Sequence, residues 1–260
     1  MILAVDAGNT RIKVSVADAR TVKALFAVPT TRLSKDPGLL SKTLGACKDL
    51  PERVDGAVFC SVVPGVDRAV AAALRRVSGL APVCVDHDSI LPFRLGVARP
   101  ANVGSDRIAA AAGALDRGRR HVIVVDAGTA ITVDLVVDGV FRGGLIMAGP
   151  GLALEALGSY ARRLPRIGAD ALAGRPAERI DDTKPAMLAG ARAAAAGAVI
   201  EAVRVLRNVA GLSPGVVVTG GGLGVIWDRL PMGWRREPDL VPRGLYRLWV
   251  LNAGRGKKKP

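Results

Sequence analysis

Aromatic residues, cysteines and histidines are scarce in this sequence. Aromatic side chains make up 3% of the 260 residues, which leaves little material for stacking platforms that bind nucleic-acid bases. The three cysteines, Cys47, Cys60 and Cys84, are odd in number and lack metal-site spacing, so we expect buried, reduced thiols. Two histidines, His87 and His121, cannot build a histidine-rich metal centre, and the acidic "DHDS" around His87 favours a solvated turn over a ligand cluster.

Long apolar runs are also missing. No stretch reaches the ~18 uninterrupted apolar residues that a membrane helix needs. The N-terminal "MILAVD" meets an acid at Asp6, which is too early for the apolar region of a signal peptide. Half of the residues are nevertheless hydrophobic, enough for a substantial core. The sequence therefore predicts a cytoplasmic protein with no membrane partner.

The chain carries a formal net charge of +14, from 37 basic and 23 acidic residues. The tail at 255–260 holds four of the cations, has nothing to bury and is predicted to be disordered. The remaining positive charge predicts a surface that attracts anions, whether nucleotides, phosphorylated metabolites or nucleic acid. The alternative is that an arginine-rich surface simply keeps the protein in solution.

Hydrophobic periodicity predicts an α/β protein in which one pattern occurs twice. Strands are predicted at 2–6, 11–18, 21–28, 56–63 and 82–85, and helices near 36–46, at 64–77 and at 104–118, with a loop-like region at 86–103. From His121 the pattern restarts with three strands and a hairpin turn at Asp138-Gly139. A helix after Pro150, a polar stretch at 166–182, a long helix near 184–210, a strand from 215 and two closing helices follow.

The order βββαβα thus appears in both halves, so we expect a duplicated architecture. The predicted domains are an N-terminal lobe at 1–117, a C-terminal lobe at 118–254 and the basic tail at 255–260. Two similar lobes that face each other would create a cleft, and small-molecule sites favour such clefts.

The acidic-glycine element "VDAG" ends the first strand of each half, at 5–8 and at 125–128. Gly8 lets the backbone turn sharply and approach a ligand, and Asn9 and Thr10 can donate to phosphate oxygens. Asp6 repels phosphate, so it must hold a cation or a water, or orient donors. A single copy would be an ordinary turn. Two copies at matched places, the second at 126–129, predict two phosphate grips.

A third glycine-rich element, "TGGGLG" at 219–224, follows a predicted strand. Its glycines leave room for a flat ring or a ribose against the backbone, although a flexible strand-to-helix turn would look the same. The P-loop pattern G-x-x-x-x-G-K-[ST] is absent, and these glycines do not fit G-x-G-x-x-G. The two common nucleotide-binding fingerprints are therefore excluded.

These elements, in this order, resemble the two phosphate motifs and the adenosine motif of the actin and sugar-kinase superfamily. The strings "DAGNT", "NVGSDR", "DAGTAITVD", "GGLIMAGPGL" and "TGG" are similar to those of one branch, type III pantothenate kinase, which includes Bvg accessory factor proteins. The resemblance covers nearly the whole chain. It implies a duplicated actin-like (ribonuclease H-like) ATPase fold, with two βββαβα-type lobes around a nucleotide cleft.

The resemblance also implies an activity, the phosphorylation of pantothenate by ATP in the first step of coenzyme A biosynthesis. It implies ATP with Mg²⁺, a monovalent cation (K⁺ or NH₄⁺) and a homodimer. The implied ATP phosphate loop comprises Asp6, Ala7, Gly8, Asn9, Thr10, Arg11, Ile12 and Lys13, with Thr129 as a further ATP contact and Asp126 as the ligand of the monovalent cation. The implied pantothenate contacts are Gly104, Ser105, Asp106, Arg107 and Thr183, with Asp106 as the general base.

Local sequence alone favours a helix-capping role for Asp106, and only the resemblance makes it a base. Arg107 could clamp the pantothenate carboxylate or be a surface cation. Two departures from the family pattern are Ser105 in place of the usual alanine and Arg162 in place of a small residue. Arg162 is expected to affect substrate affinity more than the type of reaction.

Three other functions remain open at this point. One is a kinase of the same fold that acts on another small hydroxyl or carboxylate substrate, and the "GSDR" segment disfavours it. Another is a regulatory accessory protein that binds nucleic acid, which the charge supports. The lack of zinc-finger spacing and of a convincing helix-turn-helix disfavours that role. Asp6, Asp106 and Asp126 also argue against it, because a pure binder has no evident need for all three. A purely structural module of the ATPase fold ranks last.

Overall fold

The computed structural model describes residues 1–115, 120–174 and 179–254. The strands in this part of the chain are β1 (Ile2–Ala7), β2 (Arg11–Ala17), β3 (Val22–Pro29), β4 (Ala57–Ser61), β5 (Val83–Cys84), β6 (Arg94–Leu95), β7 (His121–Ala127), β8 (Ala130–Val137), β9 (Val140–Ala148), β10 (Gly215–Thr219) and β11 (Arg235–Arg236). The α-helices are α1 (Thr30–Lys35), α2 (Leu39–Gly45), α3 (Asp67–Ser78), α4 (Ser105–Ala114), α5 (Pro150–Tyr160), α6 (Thr183–Ala210), α7 (Leu223–Ile226) and α8 (Leu240–Asn252).

The chain divides into two compact units. The first contains Met1–Arg120, Gly139–Phe141 and the chain from Asp239 onward, and the second contains His121–Asp138 and Arg142–Pro238. The predicted domain boundary at 117/118 and the predicted tail at 255–260 lie outside the described residues.

The first unit is built on a sheet with the strand order β3-β2-β1-β4-β5. β1, β2 and β3 pair antiparallel as a meander. After helical crossovers, β4 pairs parallel with β1 and β5 pairs parallel with β4. One face of this sheet packs with α2 and α3 into a core that includes Leu3, Val5, Phe59 and Leu74. Because β1 and β4 pair in parallel, their C-terminal ends lie side by side.

The second unit repeats this strand order as β9-β8-β7-β10-β11. β7 pairs antiparallel with β8 and parallel with β10, as β1 pairs with β2 and β4. Asp138 and Gly139 form the β8–β9 turn with φ of 50° and 68°, the left-handed pair that a two-residue hairpin requires. The same strand order in both sheets confirms the predicted duplication.

The last helix, α8, belongs to the first unit, although the sequence assigned it to the second lobe. It packs closely along α4. A Cβ on Gly244 would lie 1.8 Å from the carbonyl oxygen of Ala109, and a Cβ on Gly113 would lie 2.2 Å from that of Leu240. The two glycines therefore let the helix backbones touch, and sequence order alone does not show this pairing.

Helix α6 is the longest helix in the described part of the chain. By length and composition alone it could cross a membrane, but a core helix passes the same test, and 44% of its most apolar window is buried. Its buried face, which includes Ala195, Val199 and Val203, packs in the core of the second unit with Ile123 and Val125 of β7. The packing is that of a core helix.

Candidate active site

The first phosphate loop lies between β1 and β2 in the first unit. The Gly8 amide donates to the carbonyl of Arg11 at 3.1 Å, and the Thr30 hydroxyl donates to the carbonyl of Gly8 at 2.6 Å. These bonds close the turn and leave Asn9 and Thr10 exposed at its tip. The loop therefore presents the polar groups that the sequence assigned to phosphate binding.

Asp6 stands at the end of β1, and its two carboxylate oxygens have different partners. Lys13, its antiparallel neighbour on β2, approaches Oδ2 at 3.3 Å. Cys60, its parallel neighbour on β4, donates its thiol to Oδ1 at 3.7 Å. The Asp6 side chain keeps 16% of its surface exposed, so a cation or water can reach it while its orientation is held.

Asp106 occupies the first turn of α4, two residues after the N-cap Gly104. Its Oδ1 accepts a hydrogen bond from the amide of Arg107 at 2.7 Å. A Cβ on Gly104 would lie 2.5 Å from that oxygen, so glycine makes room for the carboxylate. The positive end of the helix dipole favours the charged form of a carboxylate here. The N-cap of α4 is Gly104 and not Asp106, so the contact with the Arg107 amide holds the carboxylate within the first turn without capping the helix.

Ser105 joins the start of α4 to the end of β4. Its hydroxyl accepts from the Ser61 amide at 3.0 Å and donates to the Ser61 carbonyl at 2.9 Å. The side chain is buried among these backbone groups. A direct substrate contact by Ser105 stays a prediction, since its one donor is already used.

Arg107 lies over an aromatic pair. Its guanidinium carbon is 5.6 Å from the ring centroid of Phe141, a cation–π distance, and Phe141 stacks on Phe93 at 6.1 Å. Phe141 is fully buried and is placed by pairing of β6 with the first residues of β9. The sequence did not single out Phe141, because nothing in the local pattern shows that β6 exists.

The second loop, between β7 and β8 in the second unit, is one residue shorter than the first. Asp126 pairs with Thr132, whereas Asp6 pairs with the more distant Lys13. The Gly128 amide donates to the carbonyl of Ala130 at 3.1 Å. The residue opposite Asp126 on β8 is therefore a hydroxyl and not an ammonium group, and Thr129 is exposed at the loop.

The glycine-rich element packs directly against this second loop. Thr219 pairs with Asp126, and Gly220 follows with φ of 104°. A Cβ on Gly220 would lie 2.5 Å from Oδ1 of Asp126, and the Gly222 amide donates to the carbonyl of Ala127 at 2.7 Å. The close approach explains why glycine occupies this position.

The remaining predicted contact, Thr183, is the first residue of α6 in the second unit. Asp182 caps this helix by accepting from the Thr183 amide at 2.7 Å, and Thr183 is exposed. Arg162 is also exposed, just after α5. Of the predicted site residues, Asp6 and Asp106 thus lie in the first unit, and Asp126 and Thr183 lie in the second.

Cys60 is a residue of this site that the sequence interpretation missed. Its complete burial, and then the charges of Asp6 and Asp106, raise the pKa of the thiol well above its ordinary range. Cys60 contacts Asp6 directly, and the charge of Asp106 also acts on it. The parallel pairing of β1 with β4 is the signal that could have found it, because it sets Cys60 beside Asp6.

Known proteins are similar to this chain over nearly its whole length. The sequence profile of type III pantothenate kinase matches residues 2–205. The type III pantothenate kinase of Agathobacter rectalis is 30% identical across 99% of this chain and 100% of its own length. That of Paramagnetospirillum magneticum is 32% identical across 97% and 98%.

Solved structures bear on the fold alone. A protein from Campylobacter jejuni described as a Baf family transcriptional activator has a TM-score of 0.59 at 15% identity, with 96% and 98% of the two chains covered. The ethanolamine utilization protein EutJ from Carboxydothermus hydrogenoformans has a TM-score of 0.50 at 16% identity, with 95% and 89% covered. With the repeated strand order, these similarities confirm the duplicated actin-like ATPase fold. The profile and the near full-length relatives show that the chain belongs to the type III pantothenate kinase family.

Proposed function

We propose that the protein transfers the γ-phosphoryl group of ATP to the primary hydroxyl of pantothenate, giving 4′-phosphopantothenate and ADP in the first step of coenzyme A biosynthesis. Family membership supports the reaction. The structural observation that supports it for this chain is the pair of hydrogen bonds between the Ser105 hydroxyl and the Ser61 backbone. These bonds join the end of β4, beside Asp6, to the start of α4, which carries Asp106. Phosphoryl transfer needs such fixed positions more than covalent chemistry.

The residues present fit a nucleotide. The two glycine turns place Asn9, Thr10 and Thr129 at exposed positions, where their polar side chains suit phosphate oxygens, and Lys13 adds a half-exposed ammonium group beside Asp6. Gly221, which would have nothing within 4 Å of a Cβ, leaves open backbone for the nucleoside. Mg²⁺, when bound, would supply positive charge that offsets the charge of the phosphates. Asp6 would hold and orient the hydrated cation, because its carboxylate is held by two donors yet remains accessible.

Asp106 acts as the general base. Its carboxylate accepts the proton of the pantothenate hydroxyl while that oxygen forms its bond to the γ-phosphorus and the bond to the ADP oxygen breaks. Arg107, oriented over Phe141, pairs with the pantothenate carboxylate through two parallel N–H donors. Gly104 and Thr183 complete the substrate contacts inferred from the family.

Asp126 binds the monovalent cation, K⁺ or NH₄⁺. Its neighbour on β8 is Thr132, so the cross-strand position places a hydroxyl and no positive charge beside the carboxylate that would hold the cation. Thr129 contacts ATP from the same loop. The homodimer and the cytoplasmic location expected from the sequence form part of this proposal.

The direct test is ADP release with ATP, Mg²⁺ and K⁺, with and without pantothenate. Release that depends on pantothenate, with a product of the mass of phosphopantothenate, is the expected result. A parallel panel of other hydroxyl and carboxylate acceptors should give much slower release. Faster turnover of another acceptor would assign the protein to a different kinase activity.

Asp106→Asn tests the base. Asparagine keeps an acceptor oxygen for the Arg107 amide, so the fold should survive, but it cannot take a proton. We expect turnover to fall by about 10²- to 10⁴-fold with little change in thermal stability. Turnover close to that of the wild type would remove Asp106 from the mechanism.

A further inference from the structure

Cys60 is a buried thiol that lies near both functional carboxylates of the first unit. We propose that Cys60 is a positioning residue, which fixes the Asp6 carboxylate for MgATP by donating its S–H to Oδ1. The proposal rests on the proposed function, since it concerns how that site holds the hydrated cation of MgATP. It assigns Cys60 no bond-making step.

The geometry holds the two oxygens of Asp6 from two strands. Cys60 on β4 reaches Oδ1 at 3.7 Å, and Lys13 on β2 reaches Oδ2 at 3.3 Å. Lys13 is about half exposed and has a flexible side chain, whereas Cys60 is fully buried with one rotatable bond to its sulfur. Cys60 is therefore the rigid contact of the pair, and it limits the rotation of the carboxylate.

The chemistry of the thiol suits this task. Thiols are ordinarily protonated at neutral pH, so Cys60 can donate its S–H to the Asp6 carboxylate that it contacts. A thiolate would add a third negative charge beside the two carboxylates. A neutral buried thiol also makes a poor nucleophile, which excludes a covalent role.

The second unit supplies an internal comparison. Thr219 occupies the position opposite Asp126 that Cys60 occupies opposite Asp6. The Thr219 hydroxyl donates to the carbonyl of Pro238 at 3.4 Å. The donor on the strand beside the aspartate therefore need not bond to that aspartate. The contact between Cys60 and Asp6 is thus a feature of the first unit, and the strand register alone does not produce it.

The simpler alternative is that Cys60 only fills the core. Cys60→Ser and Cys60→Ala separate the two roles, because serine keeps a donor and alanine does not. Val70→Ala is the matched control. Val70 is fully buried on α3 in the core of the same unit, so its truncation leaves a cavity away from Asp6.

The first measurement is calorimetric binding of MgATP without pantothenate, together with the thermal unfolding of each variant. We expect Cys60→Ala to weaken MgATP binding about 5- to 10-fold, as for the loss of one ordinary hydrogen bond, because a thiol is a weak donor, and Cys60→Ser to stay within about twofold of the wild type. Val70→Ala should lower the melting temperature and leave MgATP binding unchanged. Equal MgATP binding by Cys60→Ala and the wild type would overturn the proposal.

Thiol titration gives a readout that does not depend on turnover. An aromatic disulfide reagent should count the same number of fast thiols in the native wild type and in Cys60→Ser. After denaturation the wild type should show one more reactive thiol than Cys60→Ser. Rapid reaction of Cys60 in the native protein would contradict a buried, protonated donor.

The outcomes distinguish this inference from the proposed function. If the wild type binds MgATP but releases no ADP with pantothenate, the acceptor assignment fails while the Cys60 comparison can still be read. If pantothenate-dependent ADP release occurs and Cys60→Ala binds MgATP normally, the positioning role fails and the kinase activity stands.

Discussion

The contact between α4 and α8 leads to a prediction about Gly244. A Cβ at this position would lie 1.8 Å from the Ala109 oxygen and 2.8 Å from the Gly113 nitrogen. Both are backbone atoms, so no side-chain rotation relieves the overlap. The helices must separate by roughly 1 Å or more to restore ordinary contact, and dispersion is lost along their interface. We therefore expect Gly244→Ala to be strongly destabilising.

The magnitude follows from two opposing effects. Replacing glycine by alanine within a helix contributes about 0.5–1 kcal/mol of stability where there is room. Overpacking against a fixed backbone costs about 1–3 kcal/mol and sometimes more, and the overlap at Gly244 is severe. With an overpacking cost of about 4 kcal/mol for so severe an overlap, we expect a net loss of about 3 kcal/mol, or roughly 6–12 °C in melting temperature for a protein of this size.

The assay is thermal unfolding followed by circular dichroism, with Gly197→Ala as the control. Gly197 lies in α6, is exposed and would have nothing within 4 Å of a Cβ, so this variant should melt slightly higher than the wild type. Gly113→Ala should resemble Gly244→Ala. The double variant should lose less than the sum, because one separation relieves both overlaps. A melting temperature for Gly244→Ala at or above the wild-type value would refute the close helix contact.

Three further predictions concern charge and substrate binding. The rate of ADP release by the wild type should be higher in K⁺ buffer than in Na⁺ buffer, and Asp126→Ala should abolish that difference. Equal wild-type rates in the two buffers would count against Asp126 as the cation ligand. Phe141→Leu should raise KM for pantothenate about 3- to 10-fold with a smaller effect on kcat, since Arg107 loses its aromatic support; an unchanged KM would contradict this role. The amides of Arg20 and Thr21 lower the pKa of Asp18, so its stabilisation is present at neutral pH and is lost as the pH falls below about 4. Asp18→Ala should therefore lower the melting temperature at pH 7 but hardly at pH 2.5, and an equal difference at both values would exclude the ionised carboxylate as the cause.

Much of the fold could be predicted because the apolar periodicity is strong. The strands that end at Asp6 and Asp126 and the Asp138-Gly139 turn were found from local pattern alone, as was the long helix from Thr183. The structure begins this helix one residue before the predicted start at 184, because Asp182 caps it. These features depend on neighbouring residues, so the sequence carries them directly.

Elements defined by distant partners were missed. The two-residue β6 exists because Arg94 and Leu95 pair with Val140 and Phe141, far along the chain. Helix α1 follows Pro29 directly and has only two buried residues, Thr30 and Leu33, so its periodic signal is too short to detect. The assignment of α8 to the first unit likewise rests on backbone contact at Gly113 and Gly244.

The candidate site shows the same division between local and distant information. The phosphate loops, Asp106 and Arg107 could be named because their motifs are contiguous. Cys60 and Phe141 could not, because each acts through a neighbour that only strand pairing brings close. For the same reason the sequence could not show that the Ser105 hydroxyl bonds to the backbone of Ser61.

The two "VDAG" copies share a backbone but differ in what surrounds the carboxylate. Asp6 faces the ammonium group of Lys13 and the thiol of Cys60. Asp126 faces Thr132 in its register and the bare backbone of Gly220. A carboxylate beside a lysine is already partly neutralised, which suits an indirect role toward a hydrated divalent cation. A carboxylate beside a hydroxyl and close to a backbone has oxygen atoms and no ammonium group around it, which suits the proposed direct binding of a monovalent ion. The duplication therefore supplies two equivalent positions with different neighbours on the adjacent strands, and this difference is the structural basis of the different roles proposed for the two aspartates.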